Sequence, residues 1–194
     1  MPGPDMLVYD NILSPAQCAR LARSTSPGCR TTHPSVDDPG LTGIIDTLSA
    51  VVDEVENQHY RSGATGISEL TLIRYEPGSR QKKHRDNEYE GAIFHGVTTP
   101  RTVYACCVYL ADPADYEGGE LVVAGHPPMR PSLGSGVFVR GDVEHRVKKI
   151  TGGLRFALKV TVTVPPTVCW RLRARHGDVE WVPGKPLECW TTTV

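Results

Sequence analysis

The chain has 194 residues, enough for one substantial core and short for two, so a single domain is expected. Hydrophobic residues make up 39% and charged residues 22%, which excludes a disordered chain, and a formal net charge of -1 gives no global pull toward nucleic acid or an anionic membrane. Six Cys occur without a Cys-x-x-Cys pair, which argues against a zinc or thioredoxin-like site.

Taken in chain order, Ser14-Pro15 predicts a helix start, since Ser is a good N-cap and Pro suits the first helical position. Cys18, Leu21 and Ala22 give that helix a modest apolar face. A second helix is marked by Leu41, Ile44, Ile45, Leu48, Val51, Val52 and Val55 at three- and four-residue spacing, with Asp53, Glu54 and Glu56 off the face. Residues 1–66 are therefore expected to form a helical support packed on a sheet. From Ile67 the period changes to that of strands: Ser68 to Tyr75, Arg101 to Leu110, Gly119 to Ala124, Gly136 to Arg140, His145 to Lys148 and Arg155 to Val164. Turn signals separate them at Glu76-Pro77-Gly78, Asp112-Pro113, Gly118-Gly119, Gly134 to Gly136, Gly141-Asp142 and Gly152-Gly153. Short, closely spaced strands with no helical pattern between them predict an antiparallel sandwich or barrel over residues 67–164. The tail, 165–194, reads as irregular, and its Trp170, Trp181 and Trp190 predict an extension packed on the core.

The chemistry centres on His84-Arg85-Asp86. In an extended segment, positions two apart point to one face, so an imidazole and a carboxylate would meet at one interior point. His145, after the turn Gly141-Asp142, is the second His that completes two imidazoles and one carboxylate. Such a set holds iron(II) on one face and leaves positions open for oxygen and an organic chelator. A His-x-Asp alone is common on surfaces, and His33, His59, His95, His126 and His176 are also available. His-Arg-Asp also opens the protein kinase catalytic loop, but here Asn87 follows at once and no Asp-Phe-Gly occurs.

The order of motifs is more specific than any one of them. Arg74-Tyr75-Glu76-Pro77-Gly78 followed by His84-Arg85-Asp86, then Cys107-Val108-Tyr109-Leu110-Ala111-Asp112, Tyr116-Glu117-Gly118-Gly119-Glu120-Leu121, Gly136-Val137-Phe138-Val139, His145-Arg146-Val147 and Thr151-Gly152-Gly153-Leu154-Arg155-Phe156-Ala157-Leu158, resembles the prolyl-4-hydroxylase-like family of Fe(II)/2-oxoglutarate-dependent dioxygenases from about Leu70 to Val164. The resemblance implies a mainly β fold, a double-stranded β-helix or jelly roll of cupin-like type, with the helices at its N-terminal side. It implies Fe(II), 2-oxoglutarate and O2 as cofactor and co-substrates, with ascorbate as a candidate reductant. Position by position, His84, Asp86 and His145 match the iron ligands. Arg155, ten residues after His145, matches the cation for the distal carboxylate of 2-oxoglutarate, and Tyr109 and Tyr75 match that pocket's tyrosines. The residue types suit the task, since a buried dicarboxylate calls for a fixed cation and Arg offers a planar two-pronged donor. On an extended strand Arg155, Ala157, Lys159 and Thr161 share one face, with the small Ala157 leaving room beside the ligand. For Tyr75 and Tyr109 an ordinary core role stays open, and Cys106 and Cys107 read as small hydrophobes.

Within this fold, halogenases replace the carboxylate ligand, whereas Asp86 is present; nucleobase demethylases carry a second Arg six positions beyond the first, where this chain has Thr161. Nucleic acid is therefore not the expected partner. The expected substrate is a small molecule or an amino-acid or peptidyl group, prolyl included. The stretch from Asn87 to Arg101 departs most from a short connection, and Tyr89, Phe94 and His95 are its candidate substrate contacts. The rival reading is a catalytically silent jelly-roll binding module or a cupin-like protein using another metal. No segment reads as a membrane span, and Met1 to Asp10 lacks the basic-then-apolar pattern of a signal peptide, so a cytoplasmic location with free thiols is expected.

Overall fold

The computed structural model describes residues 3–28, 30–88, 93–94, 97–98 and 100–164. In chain order its elements are β1 (Met6–Tyr9), α1 (Pro15–Arg23), β2 (Thr31–Thr32), α2 (Thr42–Val55), β3 (Glu69–Tyr75), β4 (Gln81–His84), β5 (Ile93–Phe94), β6 (Val97–Thr98) and β7 (Arg101–Tyr109). There follow β8 (Tyr116–Gly118), β9 (Leu121–Val123), β10 (Gly136–Arg140), β11 (His145–Val147), β12 (Ile150–Gly153) and β13 (Arg155–Val164). The main sheet runs β1-β10-β7-β13-β3-β2, with every neighbouring pair antiparallel. A smaller antiparallel sheet, β4-β11-β9, lies across from it, and β12 pairs with β8.

Period-two alternation on the long strands divides the interior in two. Leu158, Val160 and Val162 of β13 join Leu70, Leu72, Cys106, Val108 and Phe138 on one face of the main sheet. The apolar stripes of the helices cover that face: Cys18 and Leu21 of α1, and Ile44, Leu48, Val52 and Val55 of α2. Each such side chain contributes roughly 1.5–3 kcal/mol on burial. Ser14 caps α1 as its sequence predicts, with its hydroxyl accepting from the Gln17 N–H and the Gln17 side chain accepting from the Ser14 N–H. The opposite face of the main sheet meets the small sheet, where Tyr75, Tyr109, Val137 and Val139 form a second core with Leu121, Val123, Val147 and Ile150.

The N-terminal part is more than a helical support. Met6–Tyr9 adds an edge strand to the main sheet against β10, and Thr31–Thr32 adds the other edge against β3. Both runs are too short to show a period in sequence. Gly152-Gly153 stands inside β12 and not in a turn, and the strand expected from Gly119 to Ala124 is shorter, Leu121–Val123. The tail with its three Trp lies outside the described residues. Among the described residues Cys18, Cys106 and Cys107 are free, as expected of isolated thiols, and Cys106 is buried on the helix side.

One turn bears on the interior directly. Gly119 has φ +69°, and a Cβ there would run into the Ile150 side chain and sit 3.3 Å from Cδ of Arg155. Gly119→Ala is expected to cost about 1–3 kcal/mol through left-handed strain and crowding, read from the midpoint of urea unfolding. Gly125→Ala, at φ +80° with nothing near its Cβ, shares the strain without the crowding and is expected to cost less.

Candidate active site

The small sheet brings the two histidines together. β11 lies antiparallel to β4 with His145 directly opposite His84, and their ring centroids are 4.4 Å apart. In each ring Nδ1 faces a backbone carbonyl: Lys82 O at 2.9 Å for His84 and Val143 O at 3.0 Å for His145. A carbonyl only accepts, so Nδ1 carries the hydrogen and a neutral ring presents its lone pair at Nε2. Second partners of this kind fix the orientation of metal-binding imidazoles.

Asp86 reaches the same point by a different route from the one its spacing suggested. β4 ends at His84, and Asp86 sits in the following turn, where the Glu88 N–H reaches Arg85 O and the Asn87 N–H reaches Gly141 O at 3.0 Å. The second bond ties this turn to the one before β11. The Asp86 carboxylate is almost wholly buried, with Oδ1 3.6 Å from Nε2 of His84 and Oδ2 3.8 Å from Nε2 of His145. One donor atom from each of His84, Asp86 and His145 lies within 4.8 Å of the others.

The local electrostatics suit a cation. Burial alone would raise the Asp86 pKa, but contact with His84 and the charges of Lys159 and His145 outweigh it, and the carboxyl is held well below the usual range. His84 is raised, chiefly by Asp86, whereas burial lowers His145. Lys159 Nζ lies 2.6 Å from Asp86 Oδ1, while Oδ2 has no hydrogen-bond partner among the described residues. Two imidazole nitrogens and a carboxylate oxygen on one side of a point fit iron(II), which this set would hold with positions left open.

A cavity of about 290 Å³ runs from this cluster along the inner face of the main sheet. Beside it Arg155 is fully buried, opposite Tyr75 in the β13–β3 register. Its guanidinium carbon is 4.7 Å from the ring centroids of both Tyr75 and Tyr109. None of its three nitrogens has a hydrogen-bond acceptor in normal geometry among the described residues; its polar neighbours are the Tyr109 and Tyr75 hydroxyls and the Cys107 thiol. Burial raises the pKa of both phenols, so they remain hydrogen-bond donors. A buried cation with unpaired donors is costly unless an anion joins it. The guanidinium and the Tyr109 hydroxyl together suit a carboxylate, as 2-oxoglutarate would supply.

The structure thus gathers His84, Asp86 and His145 at one point and Arg155, Tyr75 and Tyr109 at another beside the same cavity. Tyr89 and His95 lie outside the described residues, and of Phe94 only its place in β5 is described. Cavity-lining residues that sequence reasoning passed over include Gln81, Leu121 and Thr71. Gln81 precedes His84 on β4, and the alternation of Thr71 with Leu70 and Leu72 on β3 was the available signal for Thr71.

Comparison with known proteins agrees with this geometry. Residues 70–163 match the model of the 2OG-Fe(II) oxygenase superfamily, whose name carries the iron(II) and the 2-oxoglutarate that join O2 in its chemistry. A PKHD-type hydroxylase of Hyphomonas neptunium is 36% identical over 103 residues, covering 50% of this chain and 45% of the relative. One of Delftia acidovorans is 36% identical over 90 residues, covering 43% and 38%. The matched region therefore spans less than half the length of these curated relatives. Among solved structures, a viral collagen prolyl hydroxylase from Paramecium Bursaria Chlorella virus-1 has a TM-score of 0.66 at 18% identity, over 84% of this chain and 97% of that one. A Pseudomonas putida prolyl-4-hydroxylase has a TM-score of 0.60 at 20% identity, over 82% and 92%. These likenesses show the double-stranded β-helix fold. Residues 70–163 are thus similar to the 2OG-Fe(II) oxygenase superfamily, on a fold shared with prolyl hydroxylases.

Proposed function

We propose that this chain is a 2-oxoglutarate-dependent hydroxylase that oxidises a C–H bond of a small molecule or of an amino-acid or peptidyl substrate, prolyl included. The observation that carries the reading is the pairing of the His84, Asp86 and His145 cluster with a buried, unpaired Arg155 beside one cavity. His84, Asp86 and His145 hold iron(II). Arg155 takes the distal carboxylate of 2-oxoglutarate, with the Tyr109 hydroxyl donating to it and Tyr75 walling the guanidinium. Bound iron supplies dioxygen activation coupled to decarboxylation: 2-oxoglutarate, O2 and R–H give succinate, CO2 and R–OH. The protein's part is to hold the co-substrate at a fixed distance from the metal and to keep water from the apolar walls formed by Ile73, Leu121, Val137 and Val147. The hydroxylase names of the relatives support the reaction class. A silent binding module has no use for a metal-type cluster together with an unpaired buried cation.

The direct test is iron(II)-dependent conversion of 2-oxoglutarate to succinate by purified protein. His84→Ala, Asp86→Ala and His145→Ala are each expected to abolish it, since loss of one of three ligands breaks the facial set. Wild-type turnover in any of them removes that residue from the site.

Arg155 gives a prediction with two opposite signs. Arg155→Met removes a buried charge that has no anionic partner among the described residues, so the ligand-free variant is expected to melt at least as high as wild type. The same change is expected to weaken 2-oxoglutarate binding by roughly 3–5 kcal/mol, read by calorimetric titration of the Mn(II)-loaded protein. Normal 2-oxoglutarate affinity in that variant would place the anion site elsewhere. Within the proposal, Tyr89, Phe94 and His95 contact the substrate, and triple Ala substitution is expected to alter substrate affinity while leaving 2-oxoglutarate binding nearly unchanged.

A further inference from the structure

A second cation stands on the inner face of β13. Lys159 lies four residues beyond Arg155, about 13 Å along the strand, with its side chain partly open to the cavity. Its cross-strand neighbours are Thr71 on β3 and Cys107 on β7, and neither calls for an ammonium group. The ammonium instead lies 2.6 Å from one oxygen of the Asp86 carboxylate. The two carboxylate oxygens are thereby made unequal. Oδ1 is held by Lys159, while Oδ2 is buried, has no hydrogen-bond partner among the described residues and lies toward His145.

A carboxylate can ligate a metal through one oxygen or chelate it through both. Chelation by Asp86 would fill one of the positions that a 2-oxoglutarate oxygenase keeps open. We propose that Lys159 is a positioning residue that holds Asp86 to ligation through Oδ2 alone, keeping that position free for the co-substrate. This rests on the reading of His84, Asp86 and His145 as the metal site. A second effect follows from the same placement: a positive charge fixed beside the metal's carboxylate opposes the metal's own charge, so Lys159 restrains metal affinity. The device trades tight metal binding for open coordination positions.

The two effects are separable by substitution. Mn(II) titrations would be made on wild type and on Lys159→Met, Lys159→Gln and Lys159→Arg, followed by 2-oxoglutarate titrations of each Mn(II)-loaded protein. Lys159→Met loses both charge and donor. It is expected to bind Mn(II) about tenfold or more tighter and 2-oxoglutarate about tenfold more weakly. Lys159→Gln keeps a donor without charge, so it is expected to gain Mn(II) affinity while recovering part of the 2-oxoglutarate affinity; it also serves if the Met variant does not fold. Lys159→Arg, which keeps both, is expected to restore both values toward wild type. With Co(II) in place of Mn(II), visible absorption should differ between wild type and the Met variant before 2-oxoglutarate is added, as the ligand number differs. Mn(II) affinity in the Met and Gln variants equal to or below that of wild type would overturn the proposal, as would unaltered 2-oxoglutarate affinity in the Met variant. Failure of wild type itself to bind Mn(II) would overturn the metal reading, and the role of Lys159 with it.

Discussion

On β13 every second side chain points away from the helices, and the rest of the pocket is arranged around that fact. The strand pairs with β3 from Arg155 to Thr161 and with β7 from Ala157 to Val164. Its register is therefore fixed twice, and a slip of one residue would exchange Leu158, Val160 and Val162 with Arg155, Lys159 and Thr161. The helix-facing core would then receive two cations, and the cavity would fill with aliphatic groups. Packing of α1 and α2 against the apolar set thus holds Arg155 in place at a distance. The stability of the helical layer and the position of the charged groups are one constraint seen from two faces of a sheet.

The charges in and beside the cavity form a short sequence along that strand. Arg155 is deep, stacked between two tyrosine rings and without an acceptor. Lys159 is nearer the opening and already neutralised by Asp86. The two cations therefore differ in what they can still bind. The deep one has no acceptor in normal geometry among the described residues, while the outer one is committed to the protein's own carboxylate. The histidines fit this division, since hydrogen bonds from Nδ1 to backbone carbonyls leave their Nε2 atoms toward Asp86.

Much of this was legible in the sequence, for identifiable reasons. α1 was announced by Ser14-Pro15, α2 by a sustained apolar spacing, and β3, β7, β10 and β13 by runs long enough to show a period. Those strands are buried against the helices, where alternation is strictly imposed. β1, β2, β8 and β12 were missed because a strand of two to four residues has too few positions to show a period; only pairing with distant segments makes it a strand. The positions of His84 and His145 followed from their order in the motif set, and the sheet register places them opposite one another. The reason offered for Asp86 was incomplete: it meets His84 through a turn pinned to Gly141, a long-range hydrogen bond that carries no sequence signature. The link from Lys159 to Asp86 was unreadable for the same reason, as it depends on how two sheets face each other.

The placement of β1 has a bearing on how the molecule is made. Its four residues stand near the start of the chain, yet their partner, β10, is among the later strands of the main sheet. During synthesis this segment emerges before its partner β10, followed by helices whose own apolar faces still wait for a sheet. Pairing so distant in sequence carries a large closure entropy and belongs to slow folding. Until β10 has been made and seated on β7, the nascent chain carries unmatched strand edges and bare aliphatic stripes, the surfaces that holding chaperones recognise. The edge strand β1 can take its place in the sheet only after β10 has been translated.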